Sequence, residues 1–215
     1  MTNNQAIINY YQKSMIEIDK IKRASLRPTI GLHVCCGPCS CFPLEFLNPV
    51  FKIVIIYTNS NIYPTEEYNR RLNELKRYVE IFNKEHNSDT TIIELPYDNI
   101  AFTKLLEPLK DCKERGERCH LCYTLRMNEA YDYADKMGFD YFTTVMTISR
   151  QKDSQILNRI GEQLEKKHKA KYFYSDFKKK KGIEIGQDLR KKYNLYYQDY
   201  CGCIYSYQQS LEKEK

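Results

Sequence analysis

Apolar residues recur at helical spacing near the start of the chain, at Ile7, Ile8, Tyr11, Met15, Ile18 and Ile21, which predicts a helix over residues 5–22. The period then changes. Residues 29–34 form a short apolar run that reads as a buried strand, and residues 51–57 (FKIVIIY) form a continuous β-branched run, the mark of a central strand. Between them Pro38 reads as an early residue of a helix packed by Phe42, Leu44 and Phe46. A helix then starts at Thr65, led by Glu66 and Glu67, and runs to about His86. A strand over 90–95, a short helix over 100–109 and a loop over 110–118 follow. A helix over 119–137 is stopped by Gly138 and gives way to a strand over 141–147. The last third predicts a helix over 153–168, a short strand over 171–174, a helix over 184–193, and a loop with one turn of helix over 198–206.

This alternation predicts an α/β fold, a mainly parallel Rossmann-like sheet with helices on both faces. In such folds ligands bind beyond the carboxyl ends of the strands. Cys35 and Cys36 follow the first strand, Asn59 and Asn61 the second, and Ser149 and Arg150 the fourth, so one pocket can be drawn from three strand ends. No glycine-rich phosphate fingerprint is present, and HVCCGPCS (33–40) stands where one would lie. The pattern divides the chain into an N-terminal helical extension (1–28), an α/β domain (29–207) and a flexible tail (208–215).

At 215 residues with 42% hydrophobic content, the chain has enough apolar matter for one ordinary core. It carries no apolar run of membrane-spanning length, and its start does not read as a signal peptide, so the expected location is the cytoplasm, with no membrane partner. That compartment is reducing, which argues against a disulfide framework for the nine cysteines. The net charge of +6 is unevenly placed: from residue 150 onward 16 Lys and Arg face 9 Asp and Glu, whereas the first 149 residues hold 18 against 19. Lys178, Lys179, Lys180 and Lys181 beside Tyr172, Phe173, Tyr174 and Phe177 suit a phosphate backbone, or equally a solvated face.

The cysteines fall in three groups: Cys35-Cys36 with Cys39 and Cys41 just behind, Cys119-x-x-Cys122, and Cys201-Gly-Cys203; Cys112 stands apart. Cys41 and Cys112 read as buried small hydrophobes. Thiolates collect iron and zinc. Structural zinc sites usually space their ligands C-x₂₋₄-C, so an adjacent pair tilts the choice from zinc towards an iron–sulfur cluster or a two-part metal site. Cys119 and Cys122 open a helix, whose dipole favours thiolates. Cys201 and Cys203 read as two more ligands, as part of a closed zinc site, or as a dithiol that cycles to a disulfide; the short spacer near the chain end suits a mobile pair.

Five segments in order, LHVCCGPCS (32–40), NSNIYPTEEYNRR (59–71), GERCHLCYTLRM (116–127), FTTVMTISRQKDSQILNRIGE (142–162), and SDFKKKKG through YYQDYCGCIYS (175–206), resemble those of the QueH-type epoxyqueuosine reductases. The resemblance implies a fold related to the adenine-nucleotide α-hydrolases and the last step of queuosine biosynthesis, reduction of an epoxide on a modified guanine in the tRNA anticodon to the alkene. It implies a 4Fe-4S cluster without cobalamin, held by Cys35, Cys36, Cys119 and Cys122, with Cys201 and Cys203 as a redox-active or second-metal pair and Cys39 at a position that can take a further metal such as an additional iron. The expected partners are tRNA and an electron donor whose identity the sequence does not give, and the expected state is a monomer.

Two electrons are needed and a cluster passes one at a time, so a second centre is expected, either the Cys201/Cys203 dithiol or an iron at Cys39. His33, Glu117, Asp199 and Tyr200 flank the thiols as candidate proton donors, and Tyr57, Asn59, Asn61 and Arg150 as candidates for base or ribose recognition. Two other classes stay open: a zinc-stabilised RNA-binding module without catalysis, and a thiol–disulfide oxidoreductase built on Cys119-x-x-Cys122.

Overall fold

The computed structural model describes residues 7–213; residues 5 and 6 of the expected first helix and 214–215 of the expected tail lie outside them. Five strands, β1 (Thr29–His33), β2 (Lys52–Tyr57), β3 (Thr91–Glu94), β4 (Tyr141–Thr144) and β5 (Lys171–Tyr172), form one sheet in the order β3-β2-β1-β4-β5. Every pairing is parallel, with Gly31 opposite Val54 on one side and Phe142 on the other. The apolar runs at β1 and β2 arise because both strands are covered on both faces. On one side a core of Leu32, Phe51, Ile55 and Tyr57 receives α1 (Tyr10–Arg23), α2 (Gly37–Leu47), α3 (Thr65–His86) and α7 (Gly182–Lys192). On the other, Ile56 and Phe142 pack with Met127, Ala130 and Tyr131 of α5 (Glu117–Lys136) and Leu157 and Leu164 of α6 (Ser154–Glu165). Two peripheral helices, α4 (Asn99–Leu106) and α8 (Ile204–Lys213), complete the set among the described residues.

Several boundaries differ from the sequence reading. The first helix begins at Tyr10, because Asn9 accepts from the Gln12 amide and caps it; Ile7 and Ile8 stay exposed. This helix is part of the core rather than an appendage: Ile18 and Ile21 join the main cluster, and Ser14 Oγ donates to the Tyr174 carbonyl at 2.8 Å. The fourth strand stops at Thr144, whose hydroxyl accepts from the Met146 amide and starts a 3₁₀ turn over Val145–Ile148. At the far end, α8 carries helix through Lys213, beyond Gln208 where a flexible tail was expected. Gly138 does end α5, with φ +69°.

Candidate metal centre

β1 delivers the chain to Cys35 at the carboxyl end of the sheet, and α2 begins there with Cys36 as its N-cap and Pro38 in its first turn. The sulfurs of Cys35, Cys36 and Cys39 lie within 4.8 Å of one another. Two thiolates bound ~2.3 Å from one tetrahedral ion would sit roughly 3.8 Å apart, and the Cys35 and Cys36 sulfurs are 3.9 Å apart. The trio can therefore coordinate a metal ion, with the N-terminal dipole of α2 beneath it. Cys41, one turn further, is fully buried, donates to the Gly37 carbonyl at 3.5 Å, and has its thiol pushed up to about 12 by burial. It is interior packing, as expected. Cys112 is only half-buried, because it lies on the loop before α5 and not in a core.

Cys119 and Cys122 occupy the first two turns of α5, which starts two residues earlier than the sequence indicates. The Arg115 amide donates to Cys119 Sγ at 3.2 Å. Burial raises both thiols, Cys122 to about 12, and each is raised further by the charges of Cys201 and Cys203. The C-terminal pair thus lies near enough to the α5 pair to influence both thiols. All nine cysteines are free thiols.

Three cations that the sequence reading did not single out organise these thiols. Arg126, 2% exposed, lies one turn after Cys122 and interacts with Cys122, Cys35 and Cys201, one thiol from each motif. Lys152, half-buried, keeps its proton against burial because Cys201, Cys35 and Cys39 lie near it. Arg71, 1% exposed, is paired to Glu67 at 2.7 Å and donates to the carbonyls of Cys201 at 3.1 Å and Tyr200 at 3.2 Å. Gly202 sits directly against it with φ +125°; a Cβ there would come 2.9 Å from Arg71 Nη1. The Gly202 carbonyl also accepts from the Tyr63 amide at 2.7 Å. The dithiol loop is therefore pinned by backbone hydrogen bonds, which removes the argument for a mobile pair. Gln198 Nε2 adds a 3.4 Å hydrogen bond to Cys36 Sγ. Arg71 could have been found from sequence, since it interrupts the apolar stripe Tyr68, Leu72, Leu75, Tyr78 and Val79 of α3.

The Cys35 thiol is held well below its usual range by hydrogen bonds from Cys36 and Cys39 and by the Arg126 and Lys152 charges; the thiols of Cys36 and Cys39, as the donors, are both raised, Cys36 to about 12.

The remaining candidates separate. Asn59 is buried and fully engaged: Nδ2 donates to the Val34 carbonyl at 2.9 Å and Oδ1 accepts from Arg126 at 2.6 Å, so it supports the site wall. Tyr57 donates to the Tyr68 carbonyl and is likewise interior. Asn61 is buried with Oδ1 free of any partner among the described residues. Arg150 is exposed and 3.9 Å from Glu184. The lysine run splits: Lys178 Nζ turns inward to the Thr147 carbonyl at 2.9 Å, the Lys152 carbonyl at 3.3 Å and Asp176 at 3.5 Å, while Lys179, Lys180 and Lys181 are exposed.

Of the acid candidates, His33 is fully buried and uncharged, driven down to about 3 by burial and the Arg126 charge. Arg126 can only donate, so His33 Nε2 accepts from it at 3.4 Å and Nδ1 donates to Thr144 Oγ1 at 2.9 Å. Tyr200 donates its hydroxyl to the Tyr63 carbonyl at 2.5 Å. Glu117 and Asp199 are exposed.

Fold and site together define an α/β protein carrying a cysteine trio able to coordinate a metal ion at the end of the first strand of a parallel sheet. The family model of epoxyqueuosine reductase QueH matches residues 30–209. Similar curated proteins include the epoxyqueuosine reductase QueH of Staphylococcus aureus (strain Mu50), 37% identical over 96% of this chain and 90% of that protein. That of Streptococcus pyogenes serotype M1 is 36% identical over 96% of this chain and 80% of its own length, and that of Thermotoga maritima is 28% identical over 86% and 93%. The chain belongs to the QueH epoxyqueuosine reductase family.

Proposed function

We propose that this protein is an epoxyqueuosine reductase acting on tRNA: it removes the epoxide oxygen of epoxyqueuosine to leave the alkene of queuosine. Two electrons and two protons enter, and the oxygen leaves as water. The observation that carries the reading is the position of Arg126, in reach of one thiol from each of three motifs that lie far apart in sequence. Such convergence suits one redox centre better than separate structural zinc sites.

The donor set fits a thiolate-bound cofactor. We assign Cys35, Cys36, Cys119 and Cys122 as ligands of a 4Fe-4S cluster, with Cys39 close enough to the first pair to share an additional iron with them. When bound, the cluster supplies electrons one at a time. Cys201 and Cys203 form the dithiol that carries the complementary redox equivalents, presented at a fixed place by Arg71. Lys152 holds a proton at Nζ beside the thiols. Lys179 to Lys181 with Arg150 face the tRNA backbone. His33 and Asn59 orient Arg126 and do not react.

We infer a relation to the adenine-nucleotide α-hydrolase fold, in which the thiols would take the place of a nucleotide's phosphates; the strand order β3-β2-β1-β4-β5 of a doubly wound parallel sheet supports this reading. No helix among the described residues is long and apolar enough to cross a membrane. We place the enzyme in the cytoplasm as a monomer served by a separate electron donor. The test is anaerobic purification with iron and sulfide analysis, followed by incubation with epoxyqueuosine-containing tRNA and a chemical reductant. Queuosine formation supports the proposal; zinc-only protein that leaves the tRNA unchanged rejects it.

A further inference from the structure

Arg126 is fully interior yet has no carboxylate counter-ion among the described residues. Its Nη2 donates to Asn59 Oδ1 at 2.6 Å and to His33 Nε2 at 3.4 Å, and Nη1 donates to Met146 Sδ at 3.6 Å. All three are neutral groups. Nε has no partner among the described residues, and no carboxylate among them pairs with this guanidinium. Arg71, equally buried, shows the contrast, because Glu67 neutralises it at 2.7 Å. Burying an unpaired charge is unfavourable unless something else balances it. The neighbours of Arg126 are nevertheless built to hold it there. Asn59 is fixed by the Val34 carbonyl at 2.9 Å, on the segment that leads into Cys35, and His33 is fixed by Thr144 at 2.9 Å. Cys122 lies on the same helix four residues earlier, hence on the same face.

We propose that the counter-ion of Arg126 is the thiolate-bound metal centre itself, and that this guanidinium sets the potential at which the centre accepts an electron. The inference rests on the cofactor reading given above. A fixed positive charge in a water-poor interior favours the more negative, reduced state, so it raises the reduction potential. Arg126 is accordingly a positioning and tuning residue and touches no reacting atom of the substrate. Cys122, Cys35 and Cys201 all lie near enough to interact with this guanidinium, in agreement with this placement.

The experiment compares full-length wild type, Arg126→Met, Arg126→Lys and Asn59→Ala, loaded anaerobically with iron and sulfide. Iron content and the midpoint potential by EPR-monitored redox titration are measured for each. For Arg126→Met we expect retained iron and one-electron uptake disfavoured at least tenfold, a downward shift of about 59 mV. Arg126→Lys keeps the charge and should stay nearer wild type, and Asn59→Ala, which only loosens the guanidinium, should give a smaller downward shift. If Arg126→Met does not fold by circular dichroism, the other two variants carry the test. A loaded Arg126→Met or Asn59→Ala protein with the wild-type potential overturns the inference. Wild type that holds no iron rejects the cofactor reading, and this inference with it, through a separate measurement.

Discussion

Arg71 on α3 donates from Nη1 to the backbone carbonyl of Cys201, 130 positions away in sequence, across 3.1 Å. One guanidinium thereby fixes the loop that carries Cys201 and Cys203, using Glu67 at 2.7 Å as its counter-charge. Removing one partner of such a buried pair costs about 3–5 kcal/mol. Arg71→Lys keeps the charge but reaches fewer acceptors. We expect it to lower stability in urea and to raise the maleimide labelling rate of Cys201 and Cys203 about tenfold, with Cys41 unchanged. Lost stability with unaltered labelling would show that Arg71 serves the fold alone.

The trio and the α5 pair make separate predictions for metal content. Single Cys→Ala changes at Cys35, Cys36, Cys119 and Cys122 should remove most bound iron and the brown colour. Cys39→Ala should lose only the additional iron, leaving the cluster absorption. A Cys119→Ala protein with its full iron complement would dissociate α5 from the centre.

The split within the lysine run predicts a split in tRNA binding. Replacing Lys179, Lys180 and Lys181 with Gln should weaken binding and flatten its dependence on salt by about 0.7–0.9 in the log–log slope for each phosphate no longer neutralised. Lys178→Met should leave that slope unchanged and lower stability instead, since Lys178 Nζ is bound to the Thr147 carbonyl at 2.9 Å. Equal slopes for wild type and the triple variant would make the run a solvated face.

The strands β1 and β2 were legible because burial on both faces leaves an apolar run with no alternation. The cysteine motifs were legible because adjacent and near-adjacent thiols are rare without a ligand. Chain ends and helix starts were less so: Asn9 displaces the start of α1 past Ile7 and Ile8, and Thr144 cuts β4 short, each by one side-chain hydrogen bond to a backbone amide. Asn59 looked like a recognition residue from its strand-end position. Its true partners lie 25 and 67 residues away, and a single sequence does not report which distant groups a buried amide meets. Arg126 was missed for the same reason.

His33 predicts a pH effect. Its folded-state value near 3 lies below the ordinary 6.5 because burial and Arg126 disfavour the imidazolium. The unfolded chain therefore binds more protons between those values, so stability is full above pH 6.5 and is lost as pH falls towards 3. The slope from this residue is about 1.4 kcal/mol per pH unit within that window. Urea titrations of metal-free protein at pH 4–7 should show it, and His33→Gln should flatten it. A parallel slope in the variant would assign the acid sensitivity to other groups.

Cys201 and Cys203 decide between a redox pair and two further ligands. They lie near enough to influence the thiols of Cys119 and Cys122, which permits either role. The loop is pinned by Arg71 and by the Tyr63 amide on Gly202, and Cys203 Sγ is held by the Ser206 hydroxyl at 3.4 Å. Cys→Ser is nearly isosteric and leaves those backbone bonds intact, so neither substitution should disturb the loop. If the four cluster ligands come from the other two motifs, Cys201→Ser and Cys203→Ser should retain iron and the cluster spectrum while losing queuosine formation, because the second electron has no carrier. If the pair ligates metal, the same variants should be bleached and less stable, since metal binding and folding are coupled. We expect the first result. An iron-poor, colourless Cys201→Ser protein would move the pair into the ligand set, with the reductase assignment unaffected.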